Sequence, residues 1–597
     1  MLVGILLVTS TWLLSLLLLI SLGALPGYLL IRRSSSVGPQ GNPQDLSFTW
    51  IRISMWSGLA TLTALVLTWS LFGGLGSLVV GWLLVIVAVL SATGAIVLQR
   101  LSGCLASPLT IAKSFRRSDW LIALAALLIM GVLATTALGP VTHYDAGLYQ
   151  LGAILYARDY GVVPGLANLF NPFGYTTAQA PLAGLISGSS WDSNGFRLIN
   201  GLFASVFMAD FLLRIWQRLW TWGTYVMALG LGLTLSLLIP MGDFWLASPS
   251  VDTAVFFLGL AASAYLADSL TSQDRIVPGT VVLLIGLLLV TQRPTVIPFA
   301  LTSMAIVAAM LIRKSGIAGR AVLAIVSVLA LSLAVVQIAR DFVLSGWVLY
   351  PLSLFAFDVD WRASNPEALR VATLGAARDP SNLWESASGW EWIPSWVASA
   401  TTTWEAPALL VLLMLALGAL FWSRKCWTKP DLIKMFGALG PSFLASAFWF
   451  LTSPPSFRFA WPFLFSIPIL ILAFSLWIAE PPRAPIHHSL RNIPQLTVAL
   501  VLISIAVSSA VTLIARSDWD KRTEGVDFTL GPLVVTYSVA PLEDPPVREE
   551  RLPTGLRVIV PVDTEQCWQR YPLCVPRIEQ SVDQRSPTIR DGFTREP

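Results

Sequence analysis

Charge is scarce in this chain: of 597 residues only 12% are Asp, Glu, Lys or Arg, about half the share of an ordinary soluble protein. Histidine is rarer still, with 3 copies, and cysteine has 4. A net charge of +4, dispersed over short connections, excludes nucleic acid as a partner. What fills the space instead is apolar: 55% of the residues are hydrophobic and the mean hydropathy is +0.71, the composition of an integral membrane protein.

A window of about 19 residues finds roughly fourteen runs long enough to cross about 30 Å of hydrocarbon. They fall near 3–31, 53–72, 76–98, 119–139, 196–213, 223–240, 251–267, 277–291, 296–312, 321–339, 406–422, 433–452, 460–478 and 495–514. The first is read as a retained span, since no basic residue precedes it and no small-residue cleavage site follows. The spans themselves are nearly charge-free, with Asp210 placed to pair with Arg214 one turn on.

Lysine and arginine anchor short loops to the cytoplasmic side. Arg32 and Arg33, Arg100 to Arg117, Arg214 and Arg218, Arg313 to Arg320, and Arg424 to Lys434 all share one side if the N-terminus is outside, and the opposite loops hold no lysine before Lys521. The expected division is 1–139, N-terminal transmembrane helices; 140–195, a first large periplasmic loop; 196–339, central helices; 340–405, a second large loop; 406–514, C-terminal helices; and 515–597, a periplasmic tail. Stretches Phe528 to Val539 and Leu556 to Val562 read as strands of a small β-containing module. Within that tail Cys567 and Cys574 are placed for a disulfide in an oxidising compartment, whereas Cys104 and Cys426 fall in cytoplasmic loops and are expected as free thiols. The fold class is therefore all-α polytopic with a small extracytoplasmic β module.

The first large loop carries the sharpest pattern. His143-Tyr144-Asp145 precedes Leu148, Leu151, Leu155 and Tyr156 at helical spacing, so an amphipathic helix over 146–160 is expected in the outer interface, capped by Asp145 and stopped by Gly161. Asp145 is thus either a helix cap or a carboxylate held at the mouth of the membrane cavity. Asp243 and Asp252 sit at outer span ends, as ordinary helix-end acids or as a second acid for sugar hydroxyls or a divalent ion. Arg293 and Arg458 lie outside against the usual bias, either snorkelling to lipid headgroups or binding phosphate. Arg340 is neighboured by Asp341, which can neutralise it. Trp384, Trp390, Trp392, Trp396 and Trp404 read as an interface belt.

An Asp just beyond a span, followed by an interfacial helix with Tyr, Gly and Pro, resembles the first external loop of GT-C glycosyltransferases, which take sugars from polyprenyl-phosphate carriers. More narrowly, His143-Tyr144-Asp145 with Gly147-Leu148-Tyr149, Gly161 to Leu169, Ser345-Gly346, Tyr350-Pro351, Asp360-Trp361 and Cys567-Trp568 resemble an uncharacterised family of bacterial multispanning proteins similar to that superfamily. The resemblance implies a GT-C-like fold in the bacterial inner membrane. It implies a polyprenyl-phosphate sugar as donor, and an envelope glycan or lipid as acceptor.

In such a reaction Asp145 would be the general base. His143, Tyr144, Tyr149, Asp243, Asp252, Arg293 and Arg458 would contact substrate. Superfamily loops often place a second acid directly after the Asp; Ala146 stands there instead, so no metal ligand is assigned and a divalent cation is left open. A lipid-linked glycan polymerase or ligase, a transporter or flippase, and a non-catalytic assembly protein are the rival classes.

Overall fold

The computed structural model describes residues 1–32, 43–102, 117–188, 190–191, 193–239, 244–379, 389–479, 507, 523–578 and 581–595. Among them are 11 helices long and apolar enough to cross a membrane. Two further expected spans form shorter apolar helices, Trp222–Leu238 and Ile276–Gln292. At about 1.5 Å per residue each falls just short of the hydrocarbon thickness. The span expected at 495–514 lies, residue 507 apart, outside the described residues, as do Asp243 and Cys104. The protein is a multi-pass helical membrane protein with a small strand-containing module after its helices.

Burial sorts the helices. Val251–Thr271 has 94% of its apolar window enclosed and Asn194–Trp216 has 83%, whereas Glu405–Lys425 has 11% and Gly316–Ser345 has 17%. The first two are the axis of the bundle and the last two face lipid along most of their length. The run at 3–31 is not one helix: it breaks at Gly23 into Leu2–Leu22 and Ala24–Ile31. The break is a crossing of backbones, because a Cβ on Gly23 would lie 1.9 Å from the Ser54 carbonyl and one on Gly58 would lie 1.8 Å from that of Leu19.

The bundle interior is not charge-free, which corrects the sequence expectation. At the end of the bundle carrying the basic connections, Asp210 receives Arg52 Nε at 2.7 Å, Arg214 Nε at 3.2 Å, Trp56 Nε1 at 2.7 Å and Tyr265 Oη at 2.6 Å. Arg214 also meets Asp268 at 2.5 Å. Two arginines and two aspartates balance, so the cluster ties helices together with every charge opposed. Arg52 sits one residue ahead of the apolar run and Asp268 one residue behind another, where a hydropathy window averages them away.

Opposite, both large loops and the tail gather. The described residues of the tail form three separate two-stranded antiparallel sheets. Glu524–Leu530 pairs with Leu533–Val539, Val547–Arg551 with Arg557–Pro561, and Val582–Gln584 with Phe593–Arg595. The stretch 528–539 is therefore a hairpin turning at Gly531-Pro532, not a single strand. The Phe593 amide donates to the Pro164 carbonyl at 2.9 Å, Arg585 pairs with Asp360 at 2.7 Å, and Arg585 also covers the Trp361 ring. The Gly161 to Leu169 and Asp360-Trp361 motifs thus weld tail, first loop and second loop into one cap.

Candidate active site

At the loop end of the bundle four chain segments converge, and each brings one element of a compact charge cluster. The first is the turn after the Arg117–Ala137 helix. The helix of the first loop starts with a π turn, Ala146–Gln150, and continues as Leu151–Asp159; π turns recur at functional sites because they re-aim side chains. Asp145 heads this element but forms no side-chain cap, which removes the cap reading. Its Oδ2 instead accepts from Arg458 Nη1 at 2.9 Å, with the Asp145 side chain 20% and the Arg458 side chain 30% exposed. Gly161, at φ +78, ends the helix as expected. One face of the helix packs on protein: Leu151, Ile154, Leu155 and Tyr156 are buried, and Tyr156 packs edge-on to Tyr571 of the tail at 4.9 Å.

The second segment precedes the Val251–Thr271 helix. Ser250 caps it, accepting the Asp252 amide at 3.4 Å while its hydroxyl donates to Asp252 Oδ2. Asn200 fixes this turn by donating to the carbonyls of Ser248 at 2.7 Å and Ser250 at 2.9 Å, and is itself held by Gln179 Nε2 at 2.7 Å.

The third segment is Arg293, extended at φ −156 and ψ 136 between two helices. Pro294 disfavours helical geometry in the residue before it, so the chain opens there and the guanidinium turns to Asp252 Oδ1 at 2.5 Å. The fourth is the Phe457–Phe459 turn, where Pro454-Pro455 has ended the preceding helix. The Phe459 ring lies beneath both guanidinium carbons, at 4.8 Å from Arg293 and 4.9 Å from Arg458, a double cation–π seat that spaces the two cations.

Of the described second-loop tryptophans Trp396 braces that turn, together with Trp449 of the helix before it. Trp396 Nε1 donates to the Pro455 carbonyl at 2.8 Å and Trp449 Nε1 to that of Ser456 at 3.0 Å. Trp392 is 1% exposed and packs on Trp396 and Phe450, and Trp404 packs on Trp461 and Phe465. Trp390 alone of the described set is largely exposed, and Trp384 lies outside the described residues.

His143 joins the two ion pairs. Its Nδ1 accepts the Asp145 amide at 3.2 Å; its Nε2 lies 2.6 Å from Arg458 Nη1 and 3.7 Å from Asp252 Oδ2. Both ring nitrogens therefore face N–H donors, and a neutral ring can accept at only one of them. Burial, then the nearby Arg458, hold the imidazole below its ordinary 6.5, so it is neutral near pH 7. The sign follows: below pH 6.5 the unfolded chain takes up a proton that the folded site refuses. Stability is thus expected to fall as pH drops through 6.5 toward the lower folded value. His143→Gln should flatten that part of the melting temperature against pH, and an unchanged profile would exclude His143 as its source.

Of the remaining predicted residues, Tyr149 is half-buried beside Asp145; burial, then the Asp145 charge, push its hydroxyl upward, so it stays a neutral donor. Burial lowers Arg458, but Asp145 and Asp252 outweigh it and hold the guanidinium charged. Tyr144 serves the cap instead: it is 52% exposed, its hydroxyl donates to Glu565 at 3.1 Å, and its carbonyl accepts Gln566 Nε2 at 2.6 Å.

Cys567 and Cys574 are disulfide-bonded, as expected, and Cys426 is an exposed free thiol. The adjoining Trp568 amide donates to the Gly147 carbonyl at 2.9 Å, and a Cβ on Gly147 would come 2.6 Å from its indole. Gly147→Ala should therefore lift the strap from the loop, seen as faster proteolytic cleavage between 562 and 578 in the folded protein; equal cleavage would show that the strap is not held there.

Each carboxylate is committed to an arginine. Among the described residues no group of three or more His, Cys, Asp and Glu side chains is placed to hold a metal ion.

Sequence reasoning missed Arg197, Asn200, Gln179 and Phe459. Arg197, 1% exposed, donates to the carbonyls of Gly139 at 2.6 Å and Ala540 at 2.7 Å, pinning the tail to the base of the first loop. Its position at an expected outer span end was a usable signal; Gln179, Asn200 and Phe459 carried none.

A family model matches residues 5–465, described as a domain of unknown function, DUF8201. The chain belongs to that family. Neither a curated protein nor a solved structure matches it. The DUF8201 match takes in His143, Asp145, Asp252, Arg293 and Arg458, and stops ahead of the tail.

Proposed function

We propose that this protein is a membrane glycosyltransferase of GT-C type, transferring a sugar from a polyprenyl-phosphate donor to an envelope glycan or lipid at the periplasmic face of the inner membrane. The observation that carries the reading is the convergence of Asp145, His143, Asp252, Arg293 and Arg458 from four separated segments at the loop end of the bundle. A carboxylate with two adjacent guanidiniums supplies what an inverting transfer from a phosphate needs. The acceptor hydroxyl attacks the anomeric carbon, its proton passes to Asp145, and the anomeric C–O bond breaks with its electron pair leaving on the phosphate, which the cations stabilise.

The resting arrangement suits a base released by its substrate. Arg458 holds Asp145 and crowds His143. An arriving phosphate competes for Arg458, draws it off both, and leaves the Asp145 carboxylate free to face the acceptor hydroxyl. Arg293, seated on the same Phe459 ring, keeps Asp252 ionised without moving.

The test is comparative mass spectrometry of envelope glycans from wild-type and deletion strains, followed by transfer assays with the purified protein and polyprenyl-phosphate sugars. Loss of one sugar substituent, restored by transfer in vitro, is expected. An unchanged glycan inventory removes the proposal.

A further inference from the structure

Arg340, in the last turns of the Gly316–Ser345 helix, is 4% exposed. Its neighbour Asp341 does not turn to it: that carboxylate takes the Thr176 hydroxyl at 2.5 Å. Arg340 Nη1 meets Gln337 Oε1 at 3.2 Å, Nη2 reaches the Thr177 carbonyl only at 3.5 Å, and Nε has no partner among the described residues. This is a buried guanidinium whose hydrogen bonds are long and go to neutral groups, with the Asp341 charge nearby but bonded elsewhere, unlike Arg293 and Arg458, each of which is bonded to a carboxylate.

Two glutamines border the same place. Gln292, 1% exposed, has neither amide atom bonded among the described residues. It follows Thr291, whose carbonyl takes the Ala178 amide at 2.9 Å. Gln179, also 1% exposed, has an unpartnered Oε1. Unused hydrogen-bonding atoms of three buried side chains thus bracket the segment Thr176–Gln179. Buried polar groups are nearly always partnered, so a missing partner is indicated. Water satisfies an amide but does not neutralise a guanidinium. From here Tyr175 leads back to Tyr149, beside Asp145, with ring centroids 6.3 Å apart, and outward to Tyr350 at 6.0 Å.

We infer that this cluster of unused polar atoms is a second subsite, in which Arg340 binds a carboxylate or phosphate carried on a saccharide while Gln292 and Gln179 read neighbouring hydroxyls. Among the described residues neither Arg340 nor Gln292 bonds to a member of the Asp145 cluster, which holds the cations for the donor phosphate, so the place is assigned to the acceptor. That last assignment rests on the proposed glycosyl transfer; the oxyanion site does not.

The test uses the full chain in phosphatidylcholine nanodiscs, with glucuronate, glucose and inorganic phosphate as probes in calorimetric titration. Glucuronate and phosphate are expected to bind and glucose to bind at least about tenfold more weakly, with Arg340→Gln erasing the difference. Gln292→Leu should weaken glucuronate binding several-fold yet leave the melting temperature of the ligand-free protein equal or higher, because it removes an unbonded buried amide. That pairing separates binding from a structural role, and it decides the matter if Arg340→Gln does not fold. Equal glucuronate affinity in both variants and wild type overturns the site. If phosphatidylglycerol nanodiscs abolish glucuronate binding, a lipid headgroup is the occupant and the saccharide assignment falls. Absence of sugar transfer by the folded wild-type protein would instead refute the glycosyltransferase reading and leave the oxyanion site standing.

Discussion

Asp145→Asn is expected to lower sugar transfer by about 10²–10⁴-fold, the usual contribution of a positioned general base, without loss of folded protein. The amide keeps an oxygen for Arg458 Nη1, and the Asp145 backbone amide still reaches His143 Nδ1, so the local geometry survives while the proton acceptor is gone. Donor binding should be retained or tightened, because Arg458 is no longer held by a charge. The measurement is initial rate against donor concentration in membrane vesicles, with protein quantified in the same vesicles. A variant that folds, binds donor and transfers at the wild-type rate would sink the proposed role.

Arg293→Met should have the largest effect on stability, about 3–5 kcal/mol, since it strands the Asp252 carboxylate, 2% exposed, without its 2.5 Å partner. His143 cannot replace the lost cation, because burial and Arg458 keep it neutral. Asp252→Asn alone leaves Arg293 on the Phe459 ring and its side chain 13% exposed, so the smaller loss belongs to that variant. The double variant should recover much of the loss, and a coupling of about 0.5 kcal/mol or less in the cycle would show that the pair acts independently. Thermal midpoints of all four proteins in one detergent supply the cycle.

The helices were legible because they rest on period and composition. Long apolar runs became helices wherever they were expected among the described residues, and Pro294 divided two of them by removing helical geometry from Arg293. Arg458 and Arg293 stood out because cations at that end break the positive-inside bias. What stayed hidden depended on partners distant in sequence. Asp145 fits a cap by type, and only the Arg458 turn, 313 residues away, shows where its side chain goes. The tryptophans looked like a belt because composition cannot tell an indole at a lipid surface from one bonded to Pro455. Gly531-Pro532 was a usable turn signal inside an apparently continuous strand.

The strap over the charge cluster has a consequence for biogenesis. Gln566 and Trp568 close on Tyr144 and Gly147 from more than 400 positions downstream, and Phe593 locks against Pro164 from further still. While the ribosome is still extending the chain, the first loop therefore waits uncovered, and the centre reaches its finished form only after the segment from Gln566 to Phe593 has been made and has found it.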